Sequence, residues 1–365
     1  MIHWRVGTVT AAVRAWPGAA EYDVEVPADD TTVRALAYTE VVGTPVVGDR
    51  VLLNVSALRR GLGTGGFALV VAIPDRLPID PPPGDGHIVK ARYTPLQQMV
   101  LSVDEQDSPD HATLAAADSL DGLPVVSADL HSALPAILAG IRADRPDLKV
   151  AYVMTDDAAL PLAFSRAVAG LVEARWLHTT VTVGQAFGGA HEAVTLHSGL
   201  LACRHVLGAD IAIVAQGPGN AGTGTPWGFS GVSAGEALNA VTTLGGRGVA
   251  CLRVSEADER PRHHGLSHHS VTAFGRVLLG RADVPIPRLE GEFGERVARQ
   301  AHELCAGASG TLTPHEIDIS RLGAALEASP VRLSTMGRGL NRDGSAFVSA
   351  AAAGRHAASL VGGAR

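Results

Sequence analysis

Lysine is almost missing from this chain. Of 30 basic side chains only Lys90 and Lys149 are lysines, against 37 acidic ones, and the formal net charge is −7. With no basic tract, the electrostatic footprint of a nucleic-acid binder is excluded. The arginine bias is read as genome composition rather than as a set of anion sites. Cysteine is scarce as well. Cys203, Cys251 and Cys305 stand apart with no CxxC spacing, which fits small buried residues in a reducing compartment. Long apolar runs are absent. Gly, Arg, Asp or His interrupts every run before about 18 residues, so no membrane span is expected, although mean hydropathy is slightly positive at +0.16. The opening "MIHWRVGTVT" lacks a charged segment followed by an apolar core, so no signal peptide is read there. A cytoplasmic protein with no membrane or nucleic-acid partner is the expectation.

What is present is apolar matter. Hydrophobic residues make up 46% of 365, enough for a large core and, by length, about two domains. Residues 1–75 read as β. "WRVGTVTAAV", "EYDVEVP", "VRALAYTEVV", "DRVLLNVSA" and "GFALVVAIP" are short, rich in Val and Thr, and separated by turn residues such as Pro17-Gly18 and Gly48-Asp49. Five such strands predict a small β-barrel. Its strands show little basic and aromatic interleaving, so it is read as a structural or dimerising module, with a homodimer as the expected assembly. "GLGTGG", Gly61 to Gly66, reads as a kinked connection between two strands. Proline-rich 76–87 reads as a stiff linker.

Residues 88–365 alternate β and α patterns. Apolar strands such as "LPVVSA", "LKVAYVMT", "HTTVTVGQ", "ADIAIVAQ" and "RGVACLRVS" precede amphipathic helices, and the last ~75 residues look helical. The fold class is α/β: a mostly parallel sheet flanked by helices, preceded by the small barrel. In such sheets ligands bind outside the carboxyl ends of the strands. The polar residues following those ends are Asp129, His131 and Ser132; Asp156 and Asp157; Gln185, Gly188, Gly189, His191 and Glu192; Gln216, Gly217, Gly219 and Asn220; and Ser255 and Glu256. One such loop would be unremarkable. Five together predict a shared cleft.

"VAQGPGNAGTGTPWGFSG", Val214 to Gly231, is the strongest member. Glycine lets the main chain approach a ligand and adopt positive φ, and successive N–H groups backed by a helix N-terminus cradle anions. Gln216, Gly217, Gly219, Asn220, Gly222, Thr223, Gly224 and Thr225, with Gly188 and Gly189, are the expected anion-binding set. Ser233 with Glu236 is the expected capping box of the next helix. The pattern is neither GxGxxG in a dinucleotide context nor a P-loop, since no lysine follows. The plain alternative is a structural loop passing over the sheet.

"GGAHEAVTLHSGLLACRH" is not an HExxH helix, because His191 and His197 lie six residues apart. His191 is expected near a helix start, facing the cleft, with His197 and His205 structural. One of Asp156 and Asp157 is expected to cap a helix. "RHHGLSHHS" holds His263, His264, His268 and His269. Two adjacent imidazole pairs would converge on one ion or form a solvated, flexible loop. No metal is assigned from sequence, these four being the alternative, and no cofactor is indicated. No serine sits in a GxSxG elbow.

Several stretches together resemble a bacterial family catalogued as a domain of unknown function: "GDRVLLNVSALRRGLGTGGFALVV", "PVVSADLHSALPAIL", "GGAHEAVTLHSGLLACRHVLGADIAIVAQGPGNAGTGTPWGFSG" and "HHGLSHHSVTAFGRVLLG". The resemblance implies an intracellular bacterial protein with both regions present. It implies no activity or cofactor. The leading expectation is an enzyme acting on a small phosphate- or carboxylate-bearing molecule, with His131, Asp156, His191, Glu192 and His268 as acid–base candidates. The alternatives are a non-catalytic ligand-binding or sensor protein, and a structural partner docking through the barrel.

Overall fold

β1 runs thirteen residues, Trp4–Trp16, and bends through register shifts at Val9/Ala11 and Ala12/Arg14. The bend lets one strand pair with both β2 (Ala19–Val26) and β4 (Arg50–Asn54). With β3 (Thr31–Tyr38) and β5 (Ala68–Ala72) it closes a barrel in the order β1-β2-β3-β5-β4, and α1 (Thr39–Val42) follows β3. Alternate residues Tyr22, Val24 and Val26 of β2 meet Val9, Ala35, Ala37, Val51, Leu53 and Val70 inside. Gly7 is required where β1 crosses β2: a Cβ there would lie 2.5 Å from Val24 and 2.6 Å from the Glu25 carbonyl. This computed structural model describes residues 2–62, 65–82 and 84–362. Gly63 and Thr64 of the "GLGTGG" turn, and Pro83 of the proline-rich stretch, lie outside the described residues.

From Ile73 to His87 the described residues form no helix or strand. A hairpin of β6 (Ile88–Lys90) and β7 (Gln98–Val100), then α2 (His111–Ala115), lead into the main sheet. Its first half contains β8 (Pro124–Ala128), α3 (Leu134–Asp144), β9 (Val150–Thr155), α4 (Arg166–Glu173), β10 (Thr179–Thr182), β11 (His191–Glu192), α5 (Leu196–His205) and β12 (Ile211–Gln216). Next come α6 (Ser233–Thr243), β13 (Arg247–Ala250), the small pair β14 (Val254–Ser255) and β15 (Gly265–Leu266), and α7 (His268–Thr272), which runs on as a π-helical turn. β16 (Arg281–Pro287), α8 (Gly291–Gly307), β17 (Thr311–Ile317), α9 (Leu322–Glu327), the pair β18 (Ser334–Thr335) and β19 (Arg338–Gly339), and α10 (Gly344–Leu360) complete the chain.

The eight strands lie in the order β11-β10-β9-β12-β8-β13-β16-β17. Every pairing in this sheet is parallel. Alternation divides each central strand between two cores: Val150, Tyr152 and Met154 face one side with α3, α4, α9 and α10. Ala151 and Val153 face the other with α5 and α6. Glycine sets the α3–α10 distance, since a Cβ on Gly140 or Gly354 would fall 1.9 Å from the other helix's carbonyls of Ala351 and Ile137. The barrel meets this body at Trp16, whose indole N–H donates to the Ala163 carbonyl at 2.6 Å. Arg166 pairs with buried Glu21 at 3.1 Å and lies over the Trp16 ring. No described helix is long and apolar enough to cross a membrane.

Four local expectations change. The last ~75 residues include a strand, β17, as well as helices. β16 and β17 carry Pro285, Pro287 and Pro314, which weaken a strand signal; β16 tolerates its prolines because its ladder to β13 is limited to Val249–Asp283. His191 lies in β11, not at a helix start, because Thr195 and Ser198 form a capping box that begins α5 at Leu196. Neither Asp156 nor Asp157 caps a helix, since Ser165 caps α4. Ser233 and Glu236 form no capping box: a 3-10 turn feeds α6, and the Ser233 hydroxyl donates to Asp157 at 2.8 Å instead.

Candidate functional site

The strand order determines where a crevice opens. From β8 the chain moves outward through β9, β10 and β11, returns to insert β12 beside β8, then crosses to β13 on the other side. The reversal puts a switch point outside the carboxyl ends of β12, β8 and β13, the general position for ligands in such sheets. Gln216 ends β12, Asp129 follows β8, and Arg253 follows β13. The Gln216 side-chain amide donates to the Asp129 carbonyl at 2.7 Å, and its Oε1 is buried with no partner.

Asp129 is the hub. Its carboxylate lies 3.4 Å from Arg253 Nη1 and 3.3 Å from His269 Nδ1. Arg253 Nη1 is also 3.0 Å from that Nδ1. The imidazole nitrogen either donates to Asp129 or accepts from Arg253, not both at once. Burial alone would raise the Asp129 carboxyl; His269 and Arg253 more than offset this and hold it below the usual carboxylate range.

The histidine loop closes over this hub. His263 and His269 are buried, so the loop is not a solvated segment. Ser267 caps α7 at the His269 N–H, which turns His268 and His269 back toward His263. The three ring centroids stand 4.9, 5.0 and 4.5 Å apart, and each residue offers a ring nitrogen within 4.8 Å of the others. His263 Nδ1 is 2.7 Å from the Ser267 hydroxyl. His268 Nε2 is buried without a partner. Burial, followed by nearby Arg253 and Arg260, pushes His263 down to about 3. His264 points elsewhere, against Phe293. A second set, Asp283, His315 and His356, also fits within 4.8 Å, but there both imidazoles point Nε2 at Asp283, at 3.1 and 2.9 Å.

Beside the hub lies a pocket of ≈ 40 Å³ whose walls include Asp129, Ser132, Arg253, Ser255, Arg338 and Asp343. Asp343 accepts from the Ser255 hydroxyl at 2.6 Å, from the Glu256 N–H and from Arg338 Nε. Asp258 pairs with Arg260 and Arg338 at 2.7 and 3.2 Å. These hydrogen bonds, Arg260 foremost, hold the Asp258 carboxyl far below its usual range. Arg253 places only Nη1 on Asp129 and His269. Arg338 uses Nε and Nη2. Arg253 Nε and Nη2 and Arg338 Nη1 thus have no protein acceptor among the described residues.

The other sequence candidates fall into two groups. Glu192 is buried against fully buried Lys90, at 3.4 Å. It accepts from the Thr182 hydroxyl and from the Gly188 N–H, both at 2.7 Å, while Gly189 donates to the Thr182 hydroxyl. Burial raises the Glu192 carboxyl despite these partners. Asp156 accepts from the Gln185 N–H. His191 is half-buried, lowered by burial, and away from the hub. His131 places Nε2 2.7 Å from the Ser165 hydroxyl and Nδ1 3.0 Å from Tyr152, and burial pushes it down to about 4. Ser165 in turn lines a cleft of ≈ 890 Å³ between the barrel and α4, walled by Trp16, Tyr38, Leu162 and Phe187.

The glycine loop divides. Gly217 passes over the end of β9 and the segment after it, where a Cβ would lie 2.5 Å from the Ala159 carbonyl, and a Cβ on Gly231 would lie 2.8 Å from the Asp129 carbonyl. Asn220 accepts from Ser230 at 2.8 Å, and Gly219 has φ +108. Gly222, Thr223, Gly224 and Thr225 form an exposed tip closed on itself through Thr223 N–H to Gly228 carbonyl and the two threonine hydroxyls. The loop reaches the hub through Phe229, stacked on His269 at 3.7 Å. Sequence reasoning missed Arg253, Arg338 and Asp343 as site residues. A lone arginine inside "VACLRVS" was the available signal for the first; nothing local marked the others.

No curated protein and no solved structure matches this chain. A family model does, over residues 34–354. The chain belongs to that family, described as a protein of unknown function (DUF3866).

Proposed function

We propose that this DUF3866 protein is an enzyme acting on a small phosphate- or carboxylate-bearing molecule held at the carboxyl ends of β8 and β13. The observation that carries it is the pair of guanidinium groups, Arg253 and Arg338, facing one pocket with donors left over. Arginine binds planar oxyanions through paired N–H groups. A void of ≈ 40 Å³ holds a few waters or one oxyanion head, so the rest of the substrate would lie outside the pocket. Asp129 and His269 supply a carboxylate–imidazole pair beside that head, suited to moving a proton. The free thiols of Cys203, Cys251 and Cys305 suit a bacterial, cytoplasmic setting.

Calorimetry with inorganic phosphate and with acetate, at fixed salt, tests the binding step. One of them should bind, and Arg253→Gln and Arg338→Gln should each weaken it roughly 10-fold or more. No binding of either anion, or binding unchanged in both variants, overturns the assignment. A screen of small phosphate esters and carboxylates then separates enzyme from sensor: turnover lost in His269→Gln with binding kept supports catalysis. Binding without turnover of any compound makes the protein a ligand-binding one.

A further inference from the structure

We propose that His263, His268 and His269 form a binding site for one divalent transition-metal ion, with Asp129 and Ser267 orienting the imidazoles. The spacing is that of a metal centre. Three imidazoles around one tetrahedral ion, with metal–nitrogen bonds of roughly 2.0–2.1 Å, place their ring centres about 5 Å apart. The centroids here stand 4.9, 5.0 and 4.5 Å apart. Donor nitrogens within 4.8 Å of one another need inward shifts of under about 1 Å each to reach such bonds.

The hydrogen bonds point the same way. A metal-bound histidine presents one ring nitrogen to the ion and donates the other N–H to a carboxylate, carbonyl or hydroxyl behind it. His269 has Nδ1 at 3.3 Å from Asp129 and 3.0 Å from Arg253 Nη1, and the metal-binding tautomer is the one that donates to Asp129. His263 has Nδ1 at 2.7 Å from the Ser267 hydroxyl. Their Nε2 atoms take no protein partner among the described residues. His268 Nε2 is buried and unpartnered, a position that costs free energy unless something binds there. The surrounding charge is partly balanced: Arg262, near His268, has no carboxylate partner among the described residues. Arg253 and Arg260 approach the cluster, but each is paired with a carboxylate, Asp129 or Asp258. The ligands are rigidly placed: Ser267 fixes the start of α7, the Leu266 N–H is held by Gln300 at 2.9 Å, and Phe229 stacks flat on His269 at 3.7 Å.

The Asp283, His315 and His356 set lacks this arrangement. There His356 Nε2 is hydrogen-bonded to Asp283 at 2.9 Å, while His315 Nε2, 3.1 Å from the same carboxylate, is buried without a hydrogen bond. Neither imidazole has a hydrogen-bonding group behind Nδ1 among the described residues, and the set serves as the comparison site in the test. With three neutral imidazoles and no thiolate, the donor set suits zinc, iron, nickel or copper rather than calcium or magnesium.

The site shares Asp129 and His269 with the proposed proton-moving pair, and with an ion on Nε2 His269 holds the ion instead of carrying a proton. Failure of phosphate to bind would still leave the metal site untouched. Untagged protein, purified without a metal column, is stripped with chelator and titrated with Zn²⁺ and Co²⁺, with Co²⁺ ligand-field bands as the readout. One equivalent should bind. His268→Ala should weaken binding roughly 100-fold and Asp129→Asn about 10–100-fold, while His356→Ala leaves it unchanged. Stoichiometry below about a tenth of an equivalent overturns the proposal. So does binding that survives His268→Ala and is lost in His356→Ala. Should His268→Ala fail to fold by circular dichroism, X-ray absorption of the zinc-loaded wild type counts the imidazoles directly. Three nitrogen scatterers at roughly 2 Å support the site, and an oxygen-only shell removes it.

Discussion

Toward the β11 end of the rim the polar side chains are satisfied by the protein itself, whereas above β12, β8 and β13 they are not. Glu192 has Lys90, the Thr182 hydroxyl and the Gly188 N–H; Asp156 has the Gln185 N–H. At the switch point Gln216 Oε1 and His268 Nε2 are buried orphans, and two arginines retain unused donors at a pocket wall. In a sequence both sets look alike, as short polar residues after apolar strands. What separates them is whether the neighbouring backbone has already taken up their bonding capacity. A closed network holds loops in place. An open one, in a native protein, needs a ligand, an ion or water to account for it.

The sharpest way to test that division is to cut the closed half. Glu192→Ala leaves the Lys90 ammonium buried with only the carbonyls of Thr182, Ala186 and Ala193 for company, and strips the acceptor from Gly188. Breaking a buried pair on one side costs about 3–5 kcal/mol, so urea unfolding should show a loss of that size. Glu192→Gln keeps one acceptor oxygen, enough for the Gly188 N–H or the Thr182 hydroxyl but not both, and should lose less. Binding of phosphate or Zn²⁺ by the folded fraction should not change. A stable Glu192→Ala protein with altered ligand binding would move Glu192 into the open half.

His131 provides the next test, because it was an acid–base candidate and lies among satisfied groups. Burial lowers it to about 4, while the unfolded chain holds a histidine near about 6.5. Between those values the unfolded state takes the proton and the folded state refuses it. Stability is therefore full above about pH 6.5 and falls as pH drops toward about 4, by up to roughly 3 kcal/mol from this residue. His131→Gln should flatten the pH dependence of the urea midpoint across that window by about one proton. Parallel curves for the two proteins would mean that His131 is protonated in the fold and free for chemistry.

The barrel, the parallel sheet and the rim were legible because each follows from local pattern: Val- and Thr-rich strands between turns, then apolar strands before amphipathic helices. β16 and β17 were not, since Pro285, Pro287 and Pro314 hide them and the reason they are tolerated is a ladder that exists only in three dimensions. The crevice was not legible either. It depends on β12 inserting between β9 and β8, an order no local pattern carries. The histidines show the same limit at single-residue scale. Four adjacent imidazoles were visible, but which three converge depends on Ser267 starting α7 where it does, and that sends His264 to Phe293. Arg338 and Asp343 reach the pocket from the C-terminal part of the chain with nothing beside them in sequence to announce it.

The glycine loop carries both behaviours in one segment, so it gives the smallest and most discriminating effect. Its base is tight: Gly217 and Gly231 have backbone where a side chain would go. Its tip is exposed, and the Thr223 and Thr225 hydroxyls bond each other at 3.0 Å and the Gly228 backbone at 3.2 and 3.1 Å. Those bonds compete directly with water, so Thr225→Ala should cost under about 0.5 kcal/mol. Gly222→Ala should cost equally little, since a Cβ there meets nothing closer than 3.8 Å. Neither should alter the affinity for phosphate if the anion sits between Arg253 and Arg338. If Thr225→Ala instead weakens phosphate binding 10-fold with stability unchanged, the tip folds over the ligand as a cradle. The anion would then belong to the glycine loop and not to the arginine pocket.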